Sequence, residues 1–289
     1  MAVQTNGSRP NDVNEEARDK ADMQERSDKL QNETRERRPR LPAEQGSVYR
    51  EALRILNQSG IKYAVGAAFA RYVYTSIWRQ TKDLDVFLRP EDLRAALDAF
   101  EQAGFHTEVK DKTWLAKAWK DGSFLDLIFG TGHGQIPIDD RAFEGIVDGK
   151  VLGIPTYLIP IEEMIASAAY VAGRNRFDGP EVVHLIRSAE GKLDWERILE
   201  RLGENRELLL WHLILFDFVY PGHASYLPKA LMARMFEELQ ERWKKRNRNP
   251  KAFRGTLLDP FSYTVDVEDW GYEDRRTQEP LVDNKGNVL

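Results

Sequence analysis

Asp83 and Asp85 flank Leu84 at the end of the stretch Tyr63 to Val86, which reads YAVGAAFARYVYTSIWRQTKDLDV. Side chains alternate faces along a strand. A strand beginning at Asp83 therefore sends both carboxylates to one side and Leu84 and Val86 into the core. Two such carboxylates repel each other and are costly to keep ionised unless a cation or solvent screens them. A divalent metal, most often Mg²⁺, suits the pair. A third acid, Asp126, sits among Phe124, Leu125, Leu127 and Ile128. A carboxylate inside an apolar strand is costly without a partner. Its expected partner is the Asp83/Asp85 pair on a neighbouring strand, because three acids from two strands supply what two metal ions need. The bland reading is a carboxylate held by a nearby arginine or backbone N–H.

Upstream, Gly66-Ala67-Ala68 closes a short apolar run and opens a helical segment. Small residues there admit a ligand to the backbone, and a helix N-terminus offers free N–H groups to phosphate. A phosphate cradle facing a metal-binding acid pair points to phosphoryl or nucleotidyl transfer. Arg79 and Lys82 precede the acid strand, placed either to meet nucleotide phosphates or simply to neutralise Asp83 and Asp85. Gly130 to Gly134 (GTGHG) reads as a mobile loop beside the site, with His133 as a candidate acid/base group.

These motifs together resemble the nucleotidyltransferase superfamily: Gly66-Ala67, then Arg79-Gln80-Thr81-Lys82-Asp83-Leu84-Asp85, then Asp126. They are most similar to the bacterial branch of antibiotic nucleotidyltransferases and abortive-infection toxins, and the resemblance covers roughly Ser47 to Arg187. It implies a mixed β-sheet flanked by helices and followed by a helical C-terminal region. It assigns Asp83, Asp85 and Asp126 to catalysis and metal binding, with one or two Mg²⁺ ions. Gly66, Ala67, Arg79, Thr81 and Lys82 fall to the nucleoside triphosphate. The implied reaction moves a nucleoside monophosphate to a hydroxyl of a small molecule, an RNA or a protein. Arg176 and Asp178 fit the family pattern. Ala67 stands where Gly or Ser is usual, and Ala168 where a lysine is expected after Ser167. A relative without turnover, binding nucleotide or a protein partner, is the alternative.

The rest of the chain sets the frame. Its 289 residues are 42% hydrophobic and 31% charged with a formal net charge of −5, which disfavours broad electrostatic capture of nucleic acid. The absence of cysteine excludes disulfides, thiol nucleophiles and zinc-thiolate sites. No apolar run approaches a membrane span and no signal-peptide core opens the chain, so the expected location is the cytoplasm, with no membrane partner.

Four regions are expected. Residues 1–45 read as a disordered charged segment with a basic cluster at Arg35, Arg37, Arg38 and Arg40. Residues 46–160 read as the α/β core: a helix capped by Ser47, strands around Asp83 and Asp126, a tight hairpin at Asp121-Gly122, and another broken at Asp148-Gly149. Residues 161–250 read as a helical appendage, with Leu208 to Tyr220 a buried helix and a basic run from Arg242 to Arg248. Residues 251–289 read as an aromatic tail packed on the body, disordered at its end.

Overall fold

The computed structural model describes residues 41–245, 249–276 and 279–289. Helix α1 (Ala43–Ser59) has Pro42 at its N-cap position, five residues before the expected Ser47 cap, and stops at Gly60 in the left-handed conformation. Its first turn is held by Gln45, whose Nε2 donates to the Tyr49 hydroxyl within the helix at 2.8 Å and to the Thr81 carbonyl outside it at 3.4 Å. Residues 41–45, expected to close the disordered segment, are thus placed, and the rest of that segment lies outside the described residues. The Arg35–Arg40 cluster, like Arg246 and Arg248, lies outside the described residues.

The elements β1 (Tyr63–Val65), α2 (Ala67–Thr75), β2 (Asp83–Leu88), α3 (Pro90–Gln102), β3 (His106–Asp111), β4 (Leu115–Lys120) and β5 (Ser123–Ile128) follow. A two-stranded ribbon, β6 (Gly130–Thr131) with β7 (Ile136–Pro137), precedes the hairpin β8 (Val147–Val151) and β9 (Ile154–Leu158). Seven strands make one mixed sheet in the order β3-β4-β5-β2-β1-β9-β8. β2 runs parallel to β5 and antiparallel to β1. Leu84, Val86, Leu88, Leu125 and Leu127 are wholly buried on the face opposite the carboxylates. Helices α1 and α3 pack on each other and on the sheet.

Asp121 and Gly122 both take positive φ (48° and 73°), the two-residue turn that suits strand twist, and Lys120 pairs with Ser123 across it. The second hairpin differs from expectation. Its turn is Leu152-Gly153 (φ 52° and 83°), while Asp148 and Gly149 lie within β8. Gly149 is small because a Cβ there would stand 2.8 Å from the Leu158 side chain.

Helices α4 (Ile161–Ala168), α5 (Gly179–Ala189), α6 (Trp195–Leu202), α7 (Glu207–Val219) and α8 (Lys229–Lys244) form the C-terminal region, with short α9 (Gly255–Leu258) and α10 (Thr264–Glu268) beyond. The fold is thus α+β, a mixed sheet flanked by helices and followed by a helical region. Buried Glu163 of α4 receives Arg197 Nε at 3.0 Å and Arg201 Nε at 2.8 Å, both from α6. These arginines reach on to the carbonyls of Glu144 and Pro137, binding the helical region to the loops after β5.

Two expectations are corrected here. α7 is not buried all round: Leu209, Leu210, Leu213 and Phe216 face inward, whereas Trp211, Ile214 and Phe218 are exposed, Phe218 at 83%. The last residues are placed, not disordered. Val282 is wholly buried, bridges Val288, and its N–H donates to the Lys112 carbonyl at 3.2 Å. Among the described residues no helix is long and apolar enough to cross a membrane.

Candidate active site

Asp83 and Asp85 project from the start of β2, and the parallel pairing with β5 sets Asp85 directly beside Asp126. One oxygen from each of Asp83, Asp85 and Asp126 lies within 4.8 Å of the other two. Burial, then the neighbouring carboxylates of Asp83 and Asp126, pushes Asp85 up to about 8. Burial also raises Asp126, opposed by its hydrogen bond from Lys117. Three half-buried hard oxygen donors with more negative charge than their surroundings neutralise fit a divalent cation such as Mg²⁺.

Neighbouring groups fix these carboxylates. Thr81 Oγ1 donates to Asp83 Oδ1 at 2.6 Å. Beneath them the buried Tyr49 hydroxyl donates to the Lys82 carbonyl at 2.9 Å. Burial first, with smaller contributions from all three aspartates, pushes the Tyr49 phenol up to about 12, so it remains a donor. Lys117 Nζ meets Asp126 Oδ1 at 2.6 Å and lies 4.2 Å from the centre of the Phe124 ring.

The small-residue turn lies against the acid strand. The Gly66 N–H donates to the Asp85 carbonyl at 3.0 Å, and Gly66 is the N-cap of α2, whose first turn has no side-chain cap. Gly66 is extended (φ −125°), so backbone freedom is not what requires glycine. A Cβ there would stand 2.1 Å from the Phe87 ring. Ala67 carries the positive φ (43°), an uncommon conformation for a residue with a Cβ.

The basic residues divide. Arg79 does not neutralise Asp83 or Asp85: its guanidinium pairs with Glu181 at the start of α5, which also receives Arg71 at 3.0 Å. The Lys82 side chain is exposed and has no ion-pair partner among the described residues. Arg176 is held by both oxygens of Asp178 at 3.0 and 2.8 Å. That pairing raises the Arg176 pKa, and Asp85 and Asp83 add to the effect. His133 belongs elsewhere. Its ring lies against Trp114 and its Nε2 is 3.4 Å from the Leu258 carbonyl, in the ribboned segment β6–β7 rather than a free loop.

Tyr49, Lys117, Arg71 and Glu181 were not singled out from sequence. For Lys117 a signal existed: the two-residue Asp121-Gly122 turn sets Lys120 opposite Ser123, and counting back three pairs puts Lys117 opposite Asp126. The others depend on long-range packing that local pattern does not carry.

No protein-family model and no curated protein matches the chain. Solved structures do. The antibiotic-resistance factor ANT(2'')-Ia is 13% identical over 62% of this chain and 99% of its own, with a TM-score of 0.43. A nucleotidyltransferase-like protein from Paracoccidioides brasiliensis is 13% identical over 64% of this chain and 93% of its own, TM-score 0.42. The lincosamide antibiotic adenylyltransferase LnuA is 14% identical over 50% of this chain and 96% of its own, TM-score 0.36. Their overlap is too slight to bear on activity, which is argued from the site.

Proposed function

We propose that the chain is a metal-dependent nucleotidyltransferase that moves a nucleoside monophosphate from a nucleoside triphosphate to an acceptor hydroxyl. The observation that supports this most is the convergence of Asp83, Asp85 and Asp126 beside the uncapped start of α2. Asp83 and Asp85 would hold Mg²⁺, which when bound neutralises charge on the triphosphate and the departing pyrophosphate. The first N–H groups of α2, beyond Gly66 and Ala67, offer donors to the phosphates. Lys82 has its charge free for the same anion, while Thr81 orients Asp83 and Arg79 is steadied by Glu181.

The acceptor oxygen attacks the α-phosphorus, its O–H bond breaks, and the bond to the β-phosphate oxygen opens as pyrophosphate leaves. Asp126 either takes the acceptor proton as general base or completes the donor set. The acceptor is a small molecule, an RNA or a protein hydroxyl, and a cytoplasmic site of action is part of the proposal. Residues 46–160 would supply the chemistry and residues 161–250 the acceptor side, with residues 251–289 strapping the two.

The second reading, a relative that binds nucleotide or a protein partner without turnover, draws on Ala67 and Ala168, which remove a hydroxyl and a cation from the phosphate side. Pyrophosphate release with each of the four nucleoside triphosphates, Mg²⁺ and a cell extract as acceptor source separates the two. Release that is lost in Asp83→Ala and Asp85→Ala supports transfer. Calorimetric binding of nucleotide with no release from any acceptor supports the silent relative.

A further inference from the structure

Among the described residues, Lys117 is the basic side chain ion-paired to the acid cluster, and its setting is specific. Its ammonium is 2.6 Å from Asp126 Oδ1, its side chain is 21% exposed, and its charge rests 4.2 Å from the centre of the Phe124 ring. Both contacts come from residues on the same sheet face, fixed by the pairing of β4 with β5. Arg176, a second cation whose field reaches Asp85, is already engaged by both oxygens of Asp178.

Charge counting then becomes informative. Fully ionised, as at pH 8.5 and above, the three carboxylates carry three negative charges. Lys117 offsets one of them, so the protein's own side of the site, before any triphosphate binds, carries the charge that one divalent ion matches. A second ion on Asp126 would have to sit beside a partly desolvated ammonium that occupies one of that residue's two oxygens, and like charges so close repel strongly where water is scarce.

We infer that Lys117 takes the place of a second metal ion, so that the site works with one divalent cation and a built-in ammonium, leaving Asp126 to receive the acceptor proton. This rests on the nucleotidyl-transfer reading above and narrows its metal count. An ammonium supplies a fixed positive charge on Asp126 but no open coordination position, so it helps hold the acid in place without binding the acceptor oxygen as a metal would.

The test is a count of bound ions. The full chain is titrated with Mn²⁺ at pH 8.5 in the presence of α,β-methylene analogues of ATP, GTP, CTP and UTP, one at a time, and free Mn²⁺ is read by electron paramagnetic resonance. The expected result is one Mn²⁺ per chain for the wild type and for Lys117→Arg, and two for Lys117→Gln, which keeps an N–H donor to Asp126 but not the charge. Lys117→Met is the second neutral variant, needed if Lys117→Gln does not fold. Two ions on the wild type would overturn the inference while leaving nucleotidyl transfer standing, and so would one ion on a folded neutral variant. No Mn²⁺ on the wild type with any analogue would remove the metal reading and this inference together.

Discussion

Asp85 and Asp126 stand opposite each other in the parallel pairing of β2 with β5, so their side chains share one sheet face. The candidate site is built around that pairing. It brings together two residues 41 positions apart and sets like charges where a single hard cation can relieve them.

That relief has a pH signature. With Asp85 pushed up to about 8 from an ordinary value of 3.8, the carboxyl is protonated in both folded and unfolded chains below about pH 4. Between there and pH 8 the unfolded chain releases the proton and the folded chain keeps it. Stability therefore falls as pH rises, with the full loss present above pH 8. Asp85→Asn should stabilise the chain in EDTA, seen as a higher Tm, by a margin that grows from pH 5 to pH 8.5 and reaches several kcal/mol of unfolding free energy at about 1.4 kcal/mol per pH unit. Mg²⁺ should raise the wild-type Tm and leave that of the variant nearly unchanged. Calorimetric scans giving the same margin at every pH would contradict this.

Thr81 orients Asp83 through one short hydrogen bond. Loss of a partner that orients a metal-binding carboxylate typically costs about 10–100-fold in metal affinity. Thr81→Val should weaken Mn²⁺ binding by that order, and Thr81→Ser should restore it. Equal Mn²⁺ dissociation constants for the two variants would show that the hydroxyl has no such part.

Gly66 is required by the Phe87 ring rather than by its own backbone angles. Gly66→Ala should destabilise the fold by about 1–3 kcal/mol through overpacking. Adding Phe87→Ala should make the alanine at 66 nearly neutral, which a double-mutant cycle in urea will read. Additive costs in the double variant would be the opposing result.

Glu163 is buried and carries two arginines. Glu163→Ala leaves Arg197 and Arg201 without their shared carboxylate and should cost about 3–5 kcal/mol in unfolding free energy. Glu163→Gln should recover only part of it. A loss under about 1 kcal/mol by urea denaturation would show that the carbonyls of Pro137 and Glu144 suffice to hold these arginines.

Local pattern made much of the core readable. The alternation around Asp83-Leu84-Asp85 named the buried face of β2, and Asp121-Gly122 marked the turn from β4 to β5 because a two-residue connection with both φ positive has few acceptable residues. The same reasoning failed at Asp148-Gly149, where glycine serves the close approach of Leu158, and a Leu-Gly pair takes the turn instead. Composition told that α7 was apolar but not which side was covered. Trp211, Ile214 and Phe218 are indistinguishable in sequence from the buried residues between them.

By itself, the sequence determined which residues could bear negative charge toward a cation, because strand alternation is a property of consecutive residues. Partnership was decided only in three dimensions. Arg79 was placed near the acids in sequence yet spends its charge on Glu181, 102 positions away, while Lys117 reaches Asp126 across a neighbouring strand. Coulomb attraction acts on distance in space, and only the folded sheet and its helices set that distance.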